Sequence, residues 1–147
     1  MRALLDINVL VALFDPDHPH HVTATVWLRD NVATGWASSP TTQNGCVRML
    51  SHVGYRNPLP AVVVIERLRE AVAHPAHEFW ADDISMLDAA SIDATRVHGP
   101  RQVTDVYLLA LAARHGGRFV TFDGGIAVDA ARGASARNLL VLGAGRA

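Results

Sequence analysis

Three aspartates stand where the apolar pattern around them leaves no place for a charge. Asp6 closes the run ALLD, Asp123 closes FVTFD, and Asp105 falls in the first turn of VTDVYLLALAARH. In open parallel sheets, functional groups collect beyond the carboxyl ends of the strands. Asp6 and Asp123 share such a rim if their strands lie near one another. Asp105 precedes Leu108 and Leu109 by three and four residues, which puts it on the helix stripe facing the sheet. Like charges in a partly dry pocket repel, and one of them would normally take up a proton. A hard divalent cation removes that conflict, and a few carboxylates with several waters suit Mg²⁺ or Mn²⁺. Such an ion acidifies a bound water and neutralises charge on a phosphoryl group, so the chemistry indicated is metal-assisted phosphodiester hydrolysis. Each residue also has a plainer reading. Asp6 could cap a helix beginning near Asn8, Asp105 could favour a helix dipole with Thr104 as a cap, and Asp123-Gly124-Gly125 could be only a turn. The order of the three, with two at strand ends, favours the shared site.

The elements that must position them follow from periodicity and breakers. The spacing predicts strands at 3–6, 36–38, 118–122 and 139–142, with one more inside 80–86. Helices are predicted at 8–14, 21–33, from 41 or 42 to 53, 60–72, 88–97 and 103–115. The last of these is apolar on nearly all sides and therefore buried, with Gly116 as its stop. Strands alternating with helices argue for an α/β domain with a parallel sheet covered on both faces. The chain reads as a single domain over 1–147.

Composition narrows the classes further. The chain has 147 residues, is 50% apolar and carries a net charge of −1, so no chain-wide basic field advertises nucleic acid or a membrane. All 13 basic residues are Arg. Without Lys there is no P-loop, no Schiff-base chemistry and no protein-kinase signature. Cys46 is the single cysteine, and the absence of zinc spacing fits a reducing, cytoplasmic setting. Asp6 and Asn8 interrupt the N-terminal apolar run, which makes it a poor signal peptide, and no run is long enough to span a bilayer.

LLDINVLVALFD followed by TDVYLLALAARHGGRFVTFD resembles the PIN-domain ribonucleases, specifically the VapC toxins of bacterial toxin–antitoxin pairs; DPDHPHH and SPTTQNGCVRMLS look like the same family. The resemblance covers nearly the whole chain. It implies a three-layer α/β/α PIN-like domain with a central parallel sheet, a Mg²⁺ or Mn²⁺ site, and endonucleolytic RNA cleavage by a metal-activated water leaving 5′-phosphate and 3′-hydroxyl ends. It also implies a cognate VapB-type antitoxin, transfer or ribosomal RNA as substrate, and a homodimer. Carried over by position, Asp6, Asp105 and Asp123 match the acidic metal site, while Asn8, Thr104 and Thr121 match polar positions that orient those carboxylates. The family usually has a fourth acid, a Glu, early in the helix after the second strand; here Gln43 stands there. Gln keeps a carbonyl oxygen and can order a water, but it contributes no charge.

Arg48 and Arg101 are candidates for holding a phosphate, against a plainer reading as solubilising or antitoxin-facing charges. The cluster Asp17-His18-Pro19-His20-His21 reads as a solvated loop, Trp27, Trp36 and Trp80 as core or interface, and Cys46 as a small buried apolar residue. Apolar groups at 77–80 and on the 60–72 helix could line a partner groove, although core packing is the stronger reading. Outside nucleases, the competing class is a binding module that holds RNA or antitoxin with little turnover because of Gln43. A receiver domain would need a Lys, and a haloacid-dehalogenase-type phosphatase would need an Asp at position 8.

Overall fold

A computed structural model describes residues 1–143; the end of the expected domain, at 147, lies outside the described residues. Its centre is a five-stranded, all-parallel sheet of β1 (Ala3–Leu5), β2 (Trp36–Ser38), β3 (His77–Phe79), β4 (Arg118–Thr121) and β5 (Leu139–Val141), in the order β3-β2-β1-β4-β5. Five helices connect them: α1 (Ile7–Phe14), α2 (His21–Asn31), α3 (Pro40–Ser51), α4 (Ala61–Val72) and α5 (Val103–Arg114).

The period of two along each strand divides the apolar residues between two cores. Ala3, Leu5, Trp36 and Val120 join Val9, Leu10, Cys46, Leu50, Val64 and Leu68 under α1 to α4. Leu4, Ala37 and Phe119 join Trp80, Val106, Leu108, Leu109 and Leu111 under α5. The two cores on opposite faces make the expected three-layer α/β/α arrangement. α5 is buried on most of its circumference, as its composition predicts, and Gly116 ends it with φ +66°, a left-handed conformation that glycine adopts without steric cost.

α3 begins on a capping box in which the Ser39 side chain accepts from Thr42 N–H and the Thr42 hydroxyl accepts from Ser39 N–H, with Pro40 at the first helical position. Gly45 on this helix faces Ile7. A Cβ there would lie 2.3 Å from the Ile7 side chain, so the glycine lets α3 close against α1 beside Asp6.

The expected strand inside 80–86 does not form. The strand sits one step earlier at β3, a half-exposed edge, and the chain after it is irregular. Nor is there a helix over 88–97: Asp88 and Asp93 accept from the backbone N–H groups of Ala90 and Thr95, and only a 3-10 turn at Ala94–Arg96 results. These aspartates offer the backbone local bonds that compete with a helix. The other predicted elements form with ends moved by one or two residues. Among the described residues, no helix is long and apolar enough to cross a membrane.

Candidate metal centre

The parallel pairing of β1 with β4 sets Leu5 beside Val120, and therefore Asp6 beside Thr121 at the carboxyl rim. Asp6 N–H continues the ladder to the Val120 carbonyl at 2.9 Å. Immediately afterwards the chain turns into α1 with Asp6 as its N-cap: Asp6 Oδ1 accepts from Ile7 N–H at 2.7 Å. The capping alternative is thus realised, but it uses only one carboxylate oxygen. Oδ2 accepts from the Thr121 hydroxyl at 2.6 Å.

Thr121 is fully buried, and its Oγ1 uses its whole hydrogen-bonding capacity. It donates to Asp6 and accepts from Asp123 N–H (3.0 Å) and from Asn8 Nδ2 (3.4 Å). Asn8 closes the loop by accepting from Phe122 N–H at 3.2 Å. One threonine therefore fixes both the orientation of Asp6 and the backbone that carries Asp123. α5 returns from the opposite layer and brings Asp105, half-buried in its first turn, to the same rim.

One carboxylate oxygen from each of Asp6, Asp105 and Asp123 lies within 4.8 Å of the others. Proximity and burial shape their acidity. Burial pushes Asp6 up to about 6, aided by the Asp123 charge and opposed by the Thr121 hydroxyl and the Ile7 N–H. Burial pushes Asp105 up to about 7, with the Asp6 and Asp123 charges adding to it. These are carboxylates without a compensating cation. Three hard oxygens, with room left for water on the exposed Asp123 side, form the donor set that suits Mg²⁺ or Mn²⁺.

The remaining expected residues divide. Asn8 and Thr121 are in the network. Thr104 is exposed and, among the described residues, makes no hydrogen bond to the acids. Gln43 turns toward β2: its Nε2 donates to Ser38 Oγ at 3.0 Å, and Ser38 Oγ bonds His77 Nε2 at 2.8 Å. Arg101 is exposed in the 3-10 turn Pro100–Gln102 that leads into α5. Arg48 sits in the last turn of α3 beside Met49, His52 and Tyr55, five residues and so about 7.5 Å along the helix from Gln43. Among the described residues neither arginine forms an ion pair.

Two features of the rim escape sequence reasoning. Asp82, beyond β3, accepts from both the backbone N–H (3.0 Å) and the hydroxyl (2.7 Å) of Thr41 and so fixes the first turn of α3. Nothing in the spacing links residues 41 and 82. The other is His20, whose ring stacks on Phe122 beside Asp123 (centroids 4.6 Å apart, 20° between planes). Asp17 to Pro19 is loop, His21 opens α2 with its Nδ1 bonded to the Ala12 carbonyl at 2.7 Å, and among the described residues the segment forms no metal-ligand cluster. Trp36 and Trp80 are buried, Trp27 packs against the α1–α4 core, and Cys46 is fully buried.

The chain matches the PIN domain over residues 3–131. It is 49% identical over 142 residues to Ribonuclease VapC44 of Mycobacterium tuberculosis, covering 97% of this chain and 100% of that protein. It is 42% identical over 135 residues to Ribonuclease VapC39 of the same organism (90% and 96% covered) and 42% identical over 130 residues to its Ribonuclease VapC38 (84% and 86%). With its acids gathered at one rim of a parallel sheet and these likenesses running along nearly its full length, the chain belongs to the PIN-domain family, among the relatives named VapC ribonucleases.

Proposed function

We propose that this protein is a divalent-cation-dependent endoribonuclease that acts as the toxin of a VapBC-type pair, with a VapB-type antitoxin as its partner. The relatives' name, ribonuclease VapC, supports the class of reaction. The observation that carries it is the meeting of three carboxylates from three separate elements within 4.8 Å.

In this reading Asp6, Asp105 and Asp123 hold Mg²⁺ or Mn²⁺, each through one oxygen. When bound, the cation supplies acidification of a coordinated water and a counterweight to phosphoryl charge. Thr121 and the Ile7 N–H hold the two oxygens of Asp6 at a fixed angle, and Asn8 locks the Phe122 backbone that carries Asp123. The site is thereby organised before substrate arrives, which is what electrostatic stabilisation of a transition state requires. In this reading Arg101, just ahead of α5, takes a phosphate next to the scissile one, and Arg48 takes a phosphate farther along the strand. Transfer or ribosomal RNA as substrate and a homodimer as the working form complete the proposal.

Purified protein incubated with structured RNA should cut it with Mg²⁺ or Mn²⁺ and stop when a chelator is added, and Asp6→Asn should not cut. Unchanged cleavage by Asp6→Asn would remove the assignment.

A second reading has an observation of its own. Gln43 is neutral, and its amide is engaged by Ser38 rather than by the carboxylates. A protein that binds antitoxin or RNA with little turnover follows from that. Retained antitoxin binding with no cleavage under either cation selects this reading.

A further inference from the structure

The acid-lined rim poses a problem of attraction. Three carboxylates with one divalent cation still leave a net negative site, and the whole chain carries −1. A phosphate backbone is therefore not drawn to the acids themselves by charge, the term that dominates most nucleic-acid binding. Beyond the arginines proposed for flanking phosphates, affinity at this rim has to come from another part of the nucleotide. Unpaired bases of single-stranded RNA are taken up by stacking on aromatic side chains, including His, and that contribution does not depend on charge.

The rim holds such a surface. Phe122 is the residue before Asp123, and its ring packs against the α1–α4 core, while its N–H is tied to Asn8 Oδ1 at 3.2 Å. His20 lies on that ring at 4.6 Å and 20°. Its own backbone is held from both sides: His18 Nδ1 accepts from His20 N–H at 3.0 Å, and the His20 carbonyl accepts from Ala24 N–H at 3.0 Å in the first turn of α2. The imidazole is exposed and the phenyl ring half-buried, with the His18 ring tilted at 44° beside the imidazole, 5.7 Å between centroids. The pair is also coupled to the carboxylates, because Asn8 touches both Phe122 N–H and Thr121 Oγ1.

We infer that the stacked pair His20–Phe122 is a base-binding shelf, on which an unpaired nucleobase adjacent to the scissile phosphate stacks and fixes which phosphate reaches the three carboxylates. This rests on the RNA-cleaving reading above and names how that site engages its substrate. The recognised class is single-stranded RNA, or a loop of structured RNA with a splayed base, rather than a continuous duplex. His20 binds and positions; it takes no part in proton transfer.

The kinetic arm measures cleavage of a single-stranded oligoribonucleotide by wild type, His20→Ala, His20→Phe, His20→Trp and His20→Lys in Mn²⁺. His20→Ala should raise KM about ten-fold or more with kcat nearly unchanged, the scale on which one stacked base contributes. Phe and Trp should restore KM to within about three-fold, and Lys should not. Thermal denaturation of His20→Ala should match wild type, because the side chain is exposed. The binding arm does not need turnover. A 2-aminopurine-labelled oligoribonucleotide should lose fluorescence on binding Asp6→Asn in Mn²⁺, and should lose much less on Asp6→Asn/His20→Ala. An unchanged KM in His20→Ala, rescue by Lys and not by Phe, or equal fluorescence in both backgrounds overturns the shelf. Quenching that depends on His20 in a protein that cuts no RNA keeps the shelf and removes the nuclease reading instead.

Discussion

At the carboxyl ends of β1 and β4 the side chains are acidic and tightly cross-linked: Asp6 to Thr121, Thr121 to Asp123 N–H, and Asn8, just past β1, to Thr121 Oγ1 and Phe122 N–H at the end of β4. One strand over, the end of β2 is neutral: Gln43 donates to Ser38, Ser38 bonds His77 at the start of β3, and the carboxylate beyond β3, Asp82, is turned to Thr41. Both halves are hydrogen-bonded and ordered, so order alone does not distinguish them. What differs is charge. On the first half, three carboxyls crowd together, and burial holds two of them at about 6 and about 7. On the second, burial lowers the His77 pKa, and its Nε2 is taken up by Ser38 Oγ at 2.8 Å. The site is lopsided, and the lopsidedness can be tested from either side.

The largest effect is expected from the charged half. Asp6→Asn, Asp105→Asn and Asp123→Asn should each reduce RNA cleavage by more than about a hundred-fold while leaving far-UV circular dichroism unchanged. Asn caps a helix about as well as Asp, so α1 keeps its start in Asp6→Asn. If one of the three retained near-wild-type rates with normal Mn²⁺ dependence, that acid would belong with the neutral half.

Asp6→Asn and Asp105→Asn should also raise stability, with a definite pH dependence. A carboxyl whose folded pKa lies above its unfolded value of 3.8 keeps its proton longer in the folded state. Its contribution is fully present below about pH 4 and is lost as pH rises through the folded pKa. The metal-free wild type should therefore lose stability relative to Asp6→Asn between about pH 4 and pH 7, and no further above that. For Asp6, buried and raised to about 6, the gap reaches at most about 3 kcal/mol, or several degrees in Tm. Measuring the difference between the two proteins removes the contributions of His18 and His77, whose lowered pKa values act in the opposite direction. Mn²⁺ should close the gap at pH 7.5 more than at pH 5, because cation binding competes with protons. A gap that widened toward low pH would mean that Asp6 is held in its charged form by a cationic neighbour.

Thr121→Val is expected to come next. It keeps the shape but removes the donor to Asp6 Oδ2 and the acceptor for Asp123 N–H. A lost orienting group typically costs 10- to 100-fold in metal affinity or activity, and the stranded Asp123 N–H adds about 1–3 kcal/mol of destabilisation where water cannot reach it. Thr121→Ser retains the hydroxyl and should restore most of both. Isothermal titration with Mn²⁺ alongside a cleavage assay separates the two effects.

The legible parts of this protein are those written in apolar periodicity. β4 and α5 are nearly continuous apolar runs, so RFVTF and VTDVYLLALAARH announced a buried strand, a buried helix and the two acids attached to them. The 80–102 stretch was not legible. Its structure is set by Asp88 and Asp93 bonding the nearby backbone and by a salt bridge from Arg96 to Asp129, and such bonds leave no periodic trace. β3 was misplaced by a few residues because HEF is a half-exposed edge in which one flanking layer is missing and the apolar signal with it. The three carboxylates could be picked out one by one, whereas their meeting depended on the β1–β4 pairing, a contact between residues more than 110 apart. Gln43 was read correctly as lacking charge. That its amide would turn toward Ser38 depended on His77, which no local pattern connects to it.

The smallest effect expected is on the neutral half, and it tests the comparison most directly. If the second half is weak only for want of charge, Gln43→Glu should increase Mn²⁺ affinity about ten-fold, or about 1.4 kcal/mol. A fourth carboxylate adds attraction for the cation, and α3 is already fixed by its capping box and by Asp82 on Thr41. Ser38 would then have a carboxylate to donate to, so the new charge keeps a hydrogen-bond partner in place of the amide. Gln43→Ala controls for the simple loss of the amide and should leave Mn²⁺ affinity within about two-fold of wild type. Cleavage should rise with affinity only at cation concentrations below saturation, because in the proposed function the three acids of the other half hold the cation by themselves. If Gln43→Glu left affinity unchanged while Gln43→Ala weakened it, the amide oxygen itself would be contributing, and the two halves would be one site rather than a charged half beside a neutral one.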